Sequence, residues 1–259
     1  MLMNQLKITT LQTNLFWEDI DANLTQLSNK LGTIVGKTDL IILPEMFTTG
    51  FSMNPARLAE KQPGKTLTWL KEQARQTKAV ITGSYIVQEN TQYFNRLVWM
   101  QPDGNFQTYD KRHLFSLSAE PQHYTAGQHQ LIVEYKGWKI CPLICYDLRF
   151  PVWSRNVTNY DLLIYVANWP EKRAHHWRSL LMARAIENQT YTIGVNRVGE
   201  DGNGFYHAGD TTVIDYAGRL LASTAHVENI NTVILTYQQQ QIFRNRFRFL
   251  ADKDKFDLL

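Results

Sequence analysis

Three segments of this chain bring a short apolar run to a side chain that can do chemistry, and any fold must account for all three. Asp39-Leu40-Ile41-Ile42-Leu43-Pro44-Glu45-Met46-Phe47 delivers a carboxylate, and Tyr109-Asp110-Lys111-Arg112-His113-Leu114-Phe115 an ammonium. In Lys139-Ile140-Cys141-Pro142-Leu143-Ile144-Cys145 the apolar run stops at a thiol. Short continuous apolar runs bounded by turn residues read as buried strands. Each reactive group is therefore expected at a strand end.

The rest of the chain repeats that alternation. Strands are expected over 7–11, 40–43, 80–87, 96–100, 131–135, 139–144, 162–166, 191–195, 211–215 and 232–236, and helices over 21–31, 66–77, 151–156 and 175–188. Pro151 suits a first helical turn, where its missing N–H costs nothing. This pattern is that of an α/β layered domain. Turns at Pro102-Asp103-Gly104-Asn105, Lys136-Gly137 and Tyr216-Ala217-Gly218 join neighbouring strands as hairpins, which disfavours a purely parallel dinucleotide-binding sheet. No G-x-G-x-x-G or phosphate loop is present. No linker or low-complexity stretch divides the 259 residues, and 44% hydrophobic with 20% charged residues supports a substantial core. One domain over 1–259 is expected, with a C-terminal tail from about 240.

A thiol attacks as thiolate, so a cysteine nucleophile needs a base or a nearby cation. Glu45 offers the base and Lys111 the cation. None of the seven histidines sits in comparable strand-end surroundings, which argues against a Cys-His pair. Singly, each residue admits a plain structural role: Cys145 as an inert core cysteine, Glu45 as the cap of a turn, Lys111 as part of a solvated charge cluster.

Taken together the three motifs resemble the nitrilase superfamily, the carbon-nitrogen hydrolases, over essentially the whole chain. The matching residues are Leu43-Pro44-Glu45, then Tyr109-Asp110-Lys111 with His113-Leu114-Phe115, then Cys145-Tyr146-Asp147-Leu148-Arg149-Phe150-Pro151. The resemblance implies a four-layer α-β-β-α sandwich that usually dimerises, with the C-terminal tail from about 240 expected at the dimer interface, a catalytic triad of Glu45, Lys111 and Cys145, and a second glutamate at Glu120. Pro44-Glu45-Met46-Phe47-Thr48-Thr49-Gly50-Phe51 and Val166-Ala167-Asn168-Trp169-Pro170 look like the bacterial omega-amidases of the YafV type. That branch implies ω-amides of dicarboxylic keto acids, 2-oxoglutaramate and 2-oxosuccinamate, as substrates; the alternative is another amidase, a carbamoyl-amine hydrolase or a nitrilase of the same superfamily using the same triad. In more distant members an acidic residue follows the proline of the cysteine motif, where this chain has Val152.

Such a substrate needs donors for an oxyanion, for which Lys111 and the Tyr146 backbone N–H are the expectation. It also needs a cation for its far carboxylate, and Arg149 is the nearest in sequence, with a planar fork suited to bidentate binding. Phe47 and Trp169 are expected as apolar walls. An ion pair with Asp147 or another structural acid is the plain structural reading of Arg149.

Other functions are disfavoured. His175 and His176 are adjacent on an expected helix and do not face the same way, so neither a metal nor a cofactor is expected. The net charge of +3 is small, and the Arg244, Arg246, Arg248 stretch with its interleaved phenylalanines is read as an extended tail docking its aromatic side on the body or on a second subunit. Nucleic-acid binding is not expected. No run reaches the roughly 18 apolar residues of a membrane span, and the N-terminus lacks a signal pattern, so neither a membrane nor export is expected and the cytoplasm is. Cys141 and Cys145, four residues apart on one strand, would stand roughly 13 Å apart and so be reduced, since a disulfide needs under about 7 Å.

Overall fold

A computed structural model describes residues 4–256; residues 1–3 and 257–259 of the expected domain lie outside the described residues. The first half runs β1 (Gln5–Gln12), α1 (Ile20–Gly32), β2 (Leu40–Ile42), α2 (Pro55–Leu58), β3 (Glu60–Lys61), α3 (Lys65–Thr77), β4 (Val80–Glu89), β5 (Gln92–Met100) and β6 (Phe106–Asp110). The second runs α4 (Glu120–His123), β7 (Val133–Tyr135), β8 (Trp138–Ile144), β9 (Leu162–Ala167), α5 (Ala174–Asn188), β10 (Tyr191–Asn196), β11 (Val198–Glu200), β12 (Tyr206–Ile214), β13 (Leu220–Ala225), β14 (Asn229–Thr236) and α6 (Tyr237–Arg246).

Two seven-stranded sheets result. One is ordered β14-β1-β2-β4-β5-β6 with β3 beside β4, and the other β11-β12-β10-β9-β8-β7 with β13 beside β12. Parallel pairing joins β1, β2 and β4 in the first and β8, β9 and β10 in the second, and antiparallel hairpins flank both. The two-residue side-chain period of a strand decides the layering. In the first sheet Leu40, Ile42, Val80, Leu97 and Trp99 join a core with Ile140, Leu162 and Ile164 of the second. Their neighbours Ile41, Ile81, Val98 and Met100 face away, into a separate core with Leu24, Leu27 and Leu31 of α1 and Leu67, Leu70 and Ala74 of α3. Those helical residues recur at three- and four-residue spacing, which keeps them on one face. Trp177, Leu181 and Ala185 of α5 cover the second sheet the same way. They come so close that a Cβ on Gly194 would meet Leu181 Cδ1 and Trp177 Cζ2 at 2.5 Å. The layers are therefore α-β-β-α, as expected, with each fully buried Leu or Ile contributing roughly 1.5–3 kcal/mol.

Two expectations need correction. Residues 151–156 form turns and not a helix. The helical geometry comes earlier, as a short 3-10 segment at Cys145–Arg149, and Asn156 is drawn away into bonds with Tyr160 and Asn188. The C-terminal tail is not extended, because 237–246 is helix α6. Its buried Gln240 donates to the Asp161 carbonyl at 2.8 Å, and Arg244 bonds Asp161, Gln189 and Tyr160, which fixes the helix on its own body. Arg244 is thus committed to Asp161 and is not free to meet phosphates. Phe243 does stack on Tyr216, with 5.0 Å between ring centroids, so the aromatic side docks as expected.

Candidate active site

The carboxyl ends of the strands deliver the reactive groups. Cys145 follows β8 directly, Lys111 follows β6, Asn168 follows β9, and Glu45 stands three residues beyond β2. Crevices at the ends of parallel strands are where α/β sheets place ligands. Glu120 arrives from the start of α4. Cys145 is 9% exposed, Lys111 1%, and Glu45 and Glu120 0%.

Lys111 Nζ donates to Glu45 Oε1 at 2.9 Å and to Glu120 Oε1 and Oε2 at 2.9 and 3.0 Å. Glu45 is gripped on both oxygens. Asn95 Nδ2 donates to Oε1 at 2.9 Å and the Asn168 backbone N–H to Oε2 at 2.8 Å, while Asn168 Nδ2 holds the Glu45 carbonyl at 2.6 Å. Glu120 Oε2 also accepts the Phe115 N–H. The cluster holds two carboxylates and one ammonium out of water, which is tolerable only because every charge is paired and hydrogen-bonded.

Burial pushes the Cys145 thiol well above its ordinary range, and the nearby Glu45 carboxylate pushes it further; Lys111 pulls it back only in part. The resting sulfur is therefore a thiol, and a base must take its proton as it reacts. Burial alone would lower Lys111, yet the Glu120 and Glu45 carboxylates outweigh it and hold the amine charged, above its usual value. Burial raises Glu120, the nearby Glu45 charge adds to that, and Lys111 opposes both.

The thiol sits on a sharp bend. Cys145 has φ 42°, a left-handed conformation that a side-chain-bearing residue adopts at a cost of order 1 kcal/mol or more. Asp147 stabilises the bend. Its Oδ2 accepts the Ile144 N–H at 3.0 Å and the Tyr109 hydroxyl at 2.7 Å, and its Oδ1 accepts the His113 N–H at 3.0 Å and lies 2.8 Å from His113 Nδ1. With both oxygens occupied, Asp147 forms no ion pair with Arg149.

Cys145 and Lys111 open on a cavity of about 220 Å³. Tyr146, Arg149 and Trp169 line it, where the sequence placed them. Phe47 does not, and that expectation is corrected. Its ring is fully buried against Trp69 and Tyr85 beneath the first sheet, and Phe51 takes the wall position, with its ring 5.0 Å from Lys111 Nζ. Val152 is exposed and does not line this cavity. Sequence reasoning missed Asn95, Phe115, Arg173, Phe205 and His207. For Asn95 a signal was present: a polar residue inside the run Tyr93-Phe94-Asn95-Arg96-Leu97 must satisfy its amide where it is buried. His176 Nδ1 lies 3.2 Å from Arg149 Nη2, and among the described residues no group of three His, Cys, Asp or Glu is clustered as metal ligands.

This arrangement matches a known family. The carbon-nitrogen hydrolase model aligns with residues 7–244. The chain belongs to the carbon-nitrogen hydrolase family. It is 46% identical to the Escherichia coli omega-amidase YafV over 257 residues, 99% of this chain and 100% of the relative. With a Bacillus subtilis 2-oxoglutaramate amidase the identity is 36% over 219 residues, 83% and 84% of the two chains. A carbon-nitrogen hydrolase superfamily protein from Xanthomonas campestris, solved with an arsenic adduct in its active site, superposes with a TM-score of 0.97 at 42% identity, covering 98% of this chain and 99% of that one. The yeast protein Nit3, at 22% identity and a TM-score of 0.86, shares the fold. As a carbon-nitrogen hydrolase the protein cleaves carbon-nitrogen bonds of amides.

Proposed function

We propose that this hydrolase is an omega-amidase that releases ammonia from the ω-amide of dicarboxylic keto acids, 2-oxoglutaramate and 2-oxosuccinamate. The observation that carries the reading is a buried thiol whose proton affinity the neighbouring Glu45 carboxylate raises, beside a Lys111 ammonium bonded to Glu45, in a chain alike from end to end with omega-amidases. The geometry supports the following roles. Glu45 takes the thiol proton as Cys145 sulfur attacks the amide carbon, and Lys111 with the Tyr146 N–H stabilises the oxyanion. Protonated Glu45 passes that proton to the departing nitrogen, ammonia leaves, and an acyl thioester remains on Cys145. Glu45 then deprotonates a water that attacks the thioester, and the sulfur departs and recovers the proton. Glu120 keeps Lys111 in place and charged. Tyr146, Arg149 and Trp169 bind the rest of the substrate.

The chain acts as one domain, since both sheets share a core, and works without metal or cofactor. A homodimer in the cytoplasm completes the reading. Exposed apolar side chains on α5 (Met182, Ile186) and on β13 (Leu220, Leu221) favour a second copy, and a thiol nucleophile favours a reducing compartment. Ammonia release is to be compared among 2-oxoglutaramate, glutamine, an aliphatic nitrile and an N-carbamoyl amine. The keto-acid amide should dominate, with an acyl adduct on Cys145 detected by mass spectrometry; dominant turnover of the nitrile overturns the assignment.

A further inference from the structure

Two guanidinium groups line the cavity that holds Cys145, and neither meets a carboxylate. Among the described residues Arg149 and Arg173 take part in no salt bridge with an acidic side chain, although the structure pairs Arg96, Arg178, Arg184 and Arg244 with acids. Arg149 lies over the Trp169 ring at 4.8 Å and touches only His176. Arg173 lies over the Phe115 ring at 5.3 Å, and its side chain donates no hydrogen bond among the described residues. The two cations repel each other: partial burial and the charge of Arg149 both lower the Arg173 pKa. Asp201 also lines the cavity, but its Oδ1 already accepts the N–H groups of Asn203 and Phe205.

Two partly desolvated, mutually repelling cations on aromatic faces form an unfavourable arrangement unless an anion joins them. Resting on the omega-amidase reading, we infer that Arg173 and Arg149 form a two-arginine subsite for the substrate carboxylate remote from the amide, with Arg173 as the principal ligand. Arg149 is already held by His176 and is the weaker contributor, whereas the donors of Arg173 are all free. The pair is a specificity device: it selects amides that carry a carboxylate at the far end of a short chain. Neutral amides leave the two cations unpaired, a penalty that substrate discrimination can exploit. Trp169 links the subsite to the chemistry, because its Nε1 donates to the Arg173 carbonyl at 2.7 Å while its own segment follows Asn168, which holds Glu45.

The test separates this subsite from the catalytic reading by measuring binding without turnover. Calorimetry with Cys145→Ala should show 2-oxoglutaramate bound about 10- to 100-fold more tightly than 4-oxopentanamide, the same molecule without its carboxylate. Adding Arg173→Gln should weaken 2-oxoglutaramate by about the same factor, Arg149→Gln by less, and Arg173→Lys should recover part of the loss. In the enzyme with Cys145 intact, Arg173→Gln should collapse the kcat/KM ratio between the two amides, mainly through KM. Circular dichroism and Tm of each variant report whether it folds, and the comparison of two ligands on one folded variant is independent of modest stability loss. Equal binding of the two amides to Cys145→Ala, with turnover of 2-oxoglutaramate by the intact enzyme, overturns the subsite and leaves the omega-amidase standing. Arg173-dependent binding of 2-oxoglutaramate without ammonia release upholds the subsite and removes the omega-amidase. Absence of both binding and turnover removes both.

Discussion

Charge is handled in opposite ways on two sides of one cavity. At Lys111 the ammonium is fully buried and saturated by Glu45 and Glu120, whereas the guanidiniums of Arg149 and Arg173 are half-buried and lack an acidic partner. The first arrangement is complete without ligand, and its charges cannot be altered without harm to the fold. The second is complete only with an anion. A saturated cluster suits chemistry repeated on every turnover, because preorganised donors need no rearrangement as the transition state forms. An unsaturated pair suits recognition, because its favourable energy appears only when the right ligand arrives.

The contrast is tested first at the nucleophile, where Cys145→Ala should lower turnover by on the order of 10⁴-fold or more with the fold intact. Lys111→Met comes next. It should cost at least about 100-fold in kcat and, unlike a change at the cavity wall, about 3–5 kcal/mol of stability, because it leaves two buried carboxylates facing one another. Denaturant unfolding and steady-state kinetics on the same preparation check both. If Lys111→Met is as stable as the parent, the cluster is less desolvated than its burial implies. Arg173→Gln should shift stability by no more than about 0.5 kcal/mol, the usual range for a side chain without partners.

That division was only half visible in the sequence. Glu45 and Cys145 each end an apolar run, and strand periodicity alone places such residues at sheet ends, whereas Lys111 follows β6, over which no strand was expected. Their convergence came from the motif resemblance, because spacing of 66 and 34 residues carries no distance. Glu120 was reachable only by that resemblance. Arg173 and Phe51 escaped because cavity walls come from loops, where no period operates, and Phe47 was misassigned because two phenylalanines, Phe47 and Phe51, follow the bend at Met46, which has φ 42°. The layers were legible from alternating apolar residues, and helix α6 was not. Its sequence Tyr237-Gln-Gln-Gln-Gln-Ile-Phe has no clear amphipathic stripe, and its folding depends on Gln240 and Arg244 meeting Asp161 and Gln189.

The tail provides a third, smaller contrast. Truncation after Gln241 removes Arg244 from a nearly buried pair with Asp161 and strands that carboxylate, so stability should fall by about 3 kcal/mol. Arg244→Met should reproduce most of that loss if the ion pair is its cause. Light scattering of the truncated chain reads the assembly separately. An assembly that persists excludes the tail as its main interface.

His207 gives the smallest effect and the one readable by pH alone. It lines the cavity yet is 1% exposed, and burial, helped by the nearby Arg197 charge, lowers its pKa from 6.5 to about 4. Near neutrality the imidazole adds no third positive charge to the wall of Arg149 and Arg173. In the unfolded chain it titrates near 6.5, so between pH 6.5 and 4 the unfolded state binds a proton that the folded state refuses. Stability is therefore full above about pH 6.5 and declines as pH falls toward 4, by up to about 3 kcal/mol from this residue. The difference in unfolding free energy between the parent and His207→Gln, followed over that range, should change with pH by part of this amount. A pH-independent difference would mean that His207 is solvated in the folded protein and already protonates with the unfolded chain. It would then add a cation to the wall at mildly acidic pH and tighten carboxylate binding there.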